Sequence, residues 1–281
     1  SLPASHYPLL VIAWCSIVIH CLILGIILRF RSGVTSFRSA FFTLTLAQSV
    51  ISIFLLLHTE LLTRPRDFGL FQLFQPENHS ILAAILLGCQ TAQKSQLFLI
   101  QIPFAANRFT AFMAFASHNM TSRRLQISII AHFPSFLPGF VAIPLNFNVS
   151  FVPQGDGVKL NAPREAIAML SIAAQVCSWL SIVVCIPLYL AAAFRSRKML
   201  FLHNNARYVK QERRHLVCAL ISFALVIVDS IRAFLLIIAT VARVLDTILV
   251  PHHSRFHTTE LMCCVQPWAM LACNVLIRKH L

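Results

Sequence analysis

The 281-residue chain is 58% hydrophobic and only 11% charged, with a formal net charge of +14 and a mean hydropathy of +0.76. That balance excludes an ordinary water-soluble domain. Its apolar residues fall in runs of about 20, each long enough to cross a hydrocarbon core roughly 30 Å thick. The runs predict one all-α integral membrane domain over residues 1–281, a bundle of seven transmembrane helices.

Span one, Pro8–Leu28, has His20 and Cys21 as its only soft spots, and a basic turn around Gly33 follows it. Span two, Ser39–His58, is rich in Phe, Thr and Ser and carries Gln48; an outer loop, Thr59–Ser80, is expected after it. Span three, Ile81–Phe112, is the longest apolar run and the most polar one. Its Gln90, Lys94, Gln101 and Arg108 are spaced by four, seven and seven residues. At about 3.6 residues per turn they share one stripe. Lipid cannot satisfy such groups, so the stripe should face other helices or a cavity.

Span four, Ile127–Leu145, contains Pro134, Pro138 and Pro144, which predict kinks. The loop Asn146–Glu165, with Pro153, Gly155 and Gly157, reads as irregular. Span five, Ala166–Phe194, carries Pro187 as a hinge candidate. Next comes the most basic segment, Arg195–His215, whose last six residues predict that helix six extends below the membrane. Span six, Leu216–Val241, puts Asp229 and Arg232 on one face, three residues apart. The histidines of 252–257 lack carboxylate neighbours and read as a solvated loop. Span seven, Thr258–Ile277, is interrupted by Glu260, Gln266 and Pro267.

The segments after spans one, three and five, with Arg108 at the inner end of span three and the C-terminal stub, hold fifteen basic residues against the single acid Glu212. By the positive-inside rule that face is cytoplasmic, which puts the N-terminus outside and the C-terminus in the cytoplasm. The charge also attracts anionic lipids of the inner leaflet and is not a nucleic-acid signature. Two sequons, at Asn78 and Asn148, fall on the outer side and are expected to carry glycans; a third, at Asn119, falls inside. The nine cysteines all lie in spans and read as small packing residues rather than a disulfide framework. Nucleophile-elbow, zinc-protease, Walker and dinucleotide motifs are missing, so no enzyme, metal or cofactor is expected. A small-solute transporter or channel is the alternative to a receptor, although transporters often show repeated halves and none is visible here.

Asn107-Arg108-Phe109 at the end of span three resembles the acidic-Arg-aromatic triplet of rhodopsin-like G-protein-coupled receptors, with Asn in the acidic position. Asn-Arg-aromatic, with the basic loop and Glu212 before span six, is similar to the nematode serpentine chemoreceptors, nearest classes gamma and V. Gln266-Pro267-Trp268 and Cys273-Asn274-Val275-Leu276-Ile277-Arg278 fit the closing span of such receptors. The rhodopsin-like cysteine pair from span three to the second outer loop is absent, as is the NPxxY motif.

The resemblance implies a multi-pass protein of the cell membrane, the sensory cilium included, with a small-molecule ligand and a heterotrimeric G protein as partners. It places Gln90, Gln93, Lys94, Trp179, Asp229, Arg232 and Glu260 around the ligand. Asn107, Arg108, Lys210, Arg213 and Arg214 would form the coupling face. Axial rise sorts the four intramembrane charges into two layers of opposite sign, Lys94 with Asp229 and Arg232 with Glu260. The alternative is an internal Asp229–Arg232 pair, with Lys94 and Glu260 hydrated.

Overall fold

The computed structural model describes residues 7–34, 37, 39–67, 80–113, 136–154, 157–202, 206–241 and 254–281. The sequons at Asn78 and Asn119, the first part of span four and the histidines at 252 and 253 lie outside these residues. In chain order the helices are α1 Tyr7–Phe30, α2 Ala40–His58, α3 Arg64–Asp67, α4 Ser80–Leu99 and α5 Gln101–Met113. They continue with α6 Phe136–Leu145, α7 Arg164–Leu202, α8 Ala206–Val241, α9 Ser254–Cys273 and α10 Val275–His280. Four stretches among the described residues are long and apolar enough to cross a membrane by themselves: Tyr7–Phe30, Ala40–Asp67, Arg164–Met199 and Val209–Leu235. Span three is split into α4 and α5 at Ile100, three residues before Pro103.

Span three is the hub, with α4 and α5 between them packing against spans two, four, five and six, while α9 closes the ring against α1, α2 and α8. Its polar stripe turns inward as the spacing requires: Gln101 and Arg108 are buried, and Gln90 and Lys94 half-buried. Buried Phe41, Phe42, Phe98, Phe104, Phe112 and Phe223 belong to one core among the spans. Outside, Val18, Phe54, Ile172, Val183 and Phe234 stand exposed. Such apolar side chains all round a bundle match a lipid solvent rather than water.

Two expectations about the outer loops are corrected. Residues 59–67 do not form a loop; a π-helical turn, Thr59–Thr63, and α3 carry span two onward. Glu60 and Arg64 are an acid-first pair one turn apart, a spacing that favours helix, and they bond at 2.5 Å. The segment expected to be irregular holds an antiparallel hairpin, Ser150–Gln154 against Gly157–Asn161, with Phe151 opposite Leu160. Val149 and Phe151 are buried against Ala83, Ala84 and Leu86 of α4, and Val152 between them and the turn is exposed. Alternation of this kind is what gives a strand one dry face.

The proline of span seven is absorbed by a neighbour. Pro267 has no N–H, so the Cys263 carbonyl one turn earlier loses its helical donor. His20 of α1 lies 3.0 Å from that carbonyl through Nε2. Beside the break at Ile100, the Ser181 hydroxyl of α7 donates to the Phe98 carbonyl at 2.8 Å. Helix α7 runs through Pro187 unbroken.

Spans three and four come close together at Gly88. A Cβ added at Gly88 would stand 2.7 Å from the Val141 Cα and 2.8 Å from the Phe140 oxygen. Gly88→Ala should therefore force the helices apart and lower the thermal midpoint of the purified protein, at a cost of about 1–3 kcal/mol. Gly25→Ala, where nothing lies within 4 Å, is the neutral control. Asn148 is exposed where the hairpin begins. In cells the chain should shift on glycosidase treatment, and the shift should shrink in Asn148→Gln.

Candidate functional site

Polar side chains inside the bundle gather in three clusters. The first joins spans three, five and six in their outer halves. Asp229 receives Lys94 Nζ at 2.8 Å on one carboxylate oxygen and Arg232 Nη2 at 2.9 Å on the other. Asp229 is almost fully buried, and the two cations keep about a fifth of their side-chain surface exposed. A buried charge at this depth is tolerable only when paired. Next to it, Gln175 Nε2 donates to the Ser230 carbonyl at 3.2 Å, and the Ser178 and Ser230 hydroxyls bond each other. These groups tie α7 to α8 behind the carboxylate.

The layer expected from axial rise is present for Lys94 and Asp229, and the internal Asp229–Arg232 pair coexists with it. The upper layer is corrected: Glu260 is held by Arg64 Nη2 at 2.7 Å, and the same guanidinium binds Glu60. This second cluster locks the outer end of span two to span seven. Arg64 falls in the stretch whose sequence reads as an outer loop, where a partner for Glu260 is not visible. The signal was the Glu60/Arg64 spacing, readable as one more helical turn.

Of the residues named for a ligand, Lys94, Asp229 and Arg232 therefore converge, with Gln90 and Gln93 half-buried on α4 one turn or less away. Trp179 stands apart. It is 41% exposed and packs edge-on against Phe234 at 5.9 Å on the outer surface of spans five and six.

The third cluster lies at the cytoplasmic ends. Arg108, only 1% exposed, pairs through Nη1 with Glu212 of α8 and sits over the Phe41 ring, 4.7 Å from its centroid. The ring face and the carboxylate together replace the water that the guanidinium has lost. His215 stacks on the same Phe41 at 4.1 Å, and its Nε2 lies 3.3 Å from Asn274 Nδ2. Asn107 is buried beside Arg108, whereas Lys210 and Arg213 are exposed and Arg214 is half-exposed. The expected coupling residues thus divide into an interior pair, sealed by Glu212, and a basic surface. Glu212, His215 and Asn274 as partners were missed on the sequence. Glu212 and His215 lie three apart on one helical face, the only local trace of the arrangement.

Above this cluster is a small cavity lined by Thr45, Gln48, Gln101, Ser222 and Gln266 and floored by Phe41 and Phe104. Among the described residues no group of three or more His, Cys, Asp or Glu side chains is arranged to hold a metal.

The bundle is thus crossed by paired charges in its outer half and by an Arg–acid pair between spans three and six at its cytoplasmic end. The chain belongs to the serpentine type 7TM GPCR chemoreceptor Srv family, whose model matches residues 9–281. The fold is similar to the crystal structure of squid rhodopsin, with a TM-score of 0.66 and 11% identity over 100% of this chain and 85% of that one. Among curated proteins, no sequence matches the chain.

The first cluster makes an asymmetric prediction. Lys94→Met leaves Asp229 with Arg232 and should be mild. Asp229→Leu strands two cations and should cost about 3–5 kcal/mol, the usual penalty for breaking a buried pair. Thermal unfolding of both variants and of the double variant, which should recover part of the loss, checks this.

Proposed function

We propose that the chain is a chemosensory receptor. It binds a small, largely apolar or weakly acidic molecule among the outer halves of spans three, five and six, and signals to a heterotrimeric G protein at its basic face. One observation carries the reading: spans three and six are bridged twice. Lys94–Asp229 lies in the outer half and Arg108–Glu212 at the cytoplasmic end. A ligand carboxylate that draws Lys94 away from Asp229 changes how the two helices meet, and the lower pair feels the change because both pairs ride on the same two helices. Two packings of span six, biased by ligand, are all the switch requires. Gln90 and Gln93 supply neutral hydrogen bonds beside Lys94, and Glu260 closes the outer end of span seven.

In this reading Arg108 is released when Glu212 moves, and Lys210, Arg213 and Arg214 meet the partner. Glycans on Asn78 and Asn148 mark the outer side, and lipids of the inner leaflet meet the remaining basic residues.

Expression in a heterologous cell with a G-protein readout, screened against volatile and water-soluble acids, tests the proposal. Glu212→Gln should raise ligand-independent signalling at unchanged surface expression. Arg108→Lys should lower signalling, since an ammonium cannot reproduce the planar multi-donor contact. Lys94→Met should weaken responses to acids more than to neutral odorants. Ligand flux without any such response, or full signalling by Arg108→Lys, would overturn it.

A further inference from the structure

Glu212 is not the only residue of span six that holds the cytoplasmic cluster together. Three residues on, His215 is buried with its ring stacked on Phe41 at an interplanar angle of 12°, and it is 3.3 Å from Asn274. Asn274 is the cap of α10: its Oδ1 accepts from the N–H groups of Leu276 at 3.0 Å and Ile277 at 3.3 Å. That fixes the amide. With the oxygen committed to the helix end, Asn274 can present only its Nδ2–H groups to the histidine. His215 Nε2 must then accept, so the ring is neutral and carries its proton on Nδ1. Nδ1 in turn faces Glu212 Oε1 at 3.8 Å, on the carboxylate whose other oxygen binds Arg108.

From this geometry we infer that His215 is a positioning residue: a latch that joins the Arg108–Glu212 pair of spans three and six to the capped turn of span seven, and that opens when the imidazole takes up a proton. An imidazolium has no acceptor, so it cannot hold the Asn274 amide while Asn274 caps α10. The latch is whole when His215 is neutral and is lost as pH falls through the titration of the ring. Among the described residues the charged groups around the ring are Arg108 from α5 and Glu212 from α8 itself. Span two presents Phe41 and Phe42. Cys218 of α8 and Tyr189 of α7 also lie within electrostatic reach of Arg108. Movement of span six carries Glu212 and His215 together, so opening the lower pair also frees the end of span seven. The sequence lacks NPxxY, and His215–Asn274 gives this chain its own tie between these two spans.

The inference deepens the receptor reading but can be tested without it, since the readout needs neither ligand nor G protein. Spin labels on ketone-bearing side chains avoid the nine native cysteines. They are placed at exposed Gln211 and Lys279 of the full chain in lipid nanodiscs. The distance between them is read from about pH 7 to about pH 4, because burial and the Arg108 charge push the ring's titration well below the ordinary histidine range. The wild type should shift to longer separations as pH falls. His215→Phe keeps the stack on Phe41 and lacks the acceptor, so it should be long at every pH. Asn274→Asp keeps the cap and turns the donor into an acceptor for the imidazolium; its pH dependence should reverse, the ends drawing together in acid. A thermal melt of each variant shows that the fold is kept. An unchanged pH response in His215→Phe, or an Asn274→Asp profile matching the wild type, overturns the latch.

Discussion

A guanidinium inside a membrane protein cannot be left to itself, and the bundle is arranged around that constraint at Arg108. Nearly all of its surface is withdrawn from solvent. The compensation comes from a carboxylate of span six and an aromatic face of span two. Each partner belongs to a different helix, so satisfying one side chain fixes the relative positions of spans two, three and six, and the His215–Asn274 contact adds span seven. A contact network of this kind holds one packing firmly and, once its central pair separates, has little to hold it partway. Discrete alternatives of that sort suit a receptor.

The same rule operates on the backbone. Hydrocarbon offers no donor for a carbonyl left bare by proline, and a neighbouring helix must provide one. His20 does so for Cys263, and Ser181 sits on the Phe98 carbonyl beside the break in span three. Both are contributed by helices far away in sequence. Pro267 therefore marks a docking point, where one helix takes a particular polar side chain from another.

The likeness to squid rhodopsin is one of fold, since 11% identity leaves few shared residues. Without the outer-loop cysteine pair of rhodopsin-like receptors, the hairpin is held to span three by apolar packing, Val149 and Phe151 on Ala83, Ala84 and Leu86. Span two is fastened to span seven by the Glu60–Arg64–Glu260 ion cluster. Noncovalent ties of both kinds take over the work of stapling the outer ends.

The apolar runs alone determined that the chain is a helical membrane bundle, because crossing about 30 Å of hydrocarbon demands long, internally satisfied segments. Spacing along one helix determined that Gln101 and Arg108 face inward, and that Asp229 and Arg232 share a face. The hairpin was readable in principle from the short runs Ser150–Gln154 and Gly157–Asn161, but Pro153 and Gly157 hid their alternation. Which charges meet across helices was decided only by the tertiary structure. Lys94 found Asp229, while Glu260 found Arg64 rather than Arg232. Axial rise fixes the depth of a residue and says nothing about the rotation of its helix or how far a neighbouring helix extends. The partnership of Arg108, Glu212, His215 and Asn274 depends on both, and it exists only once the spans have packed.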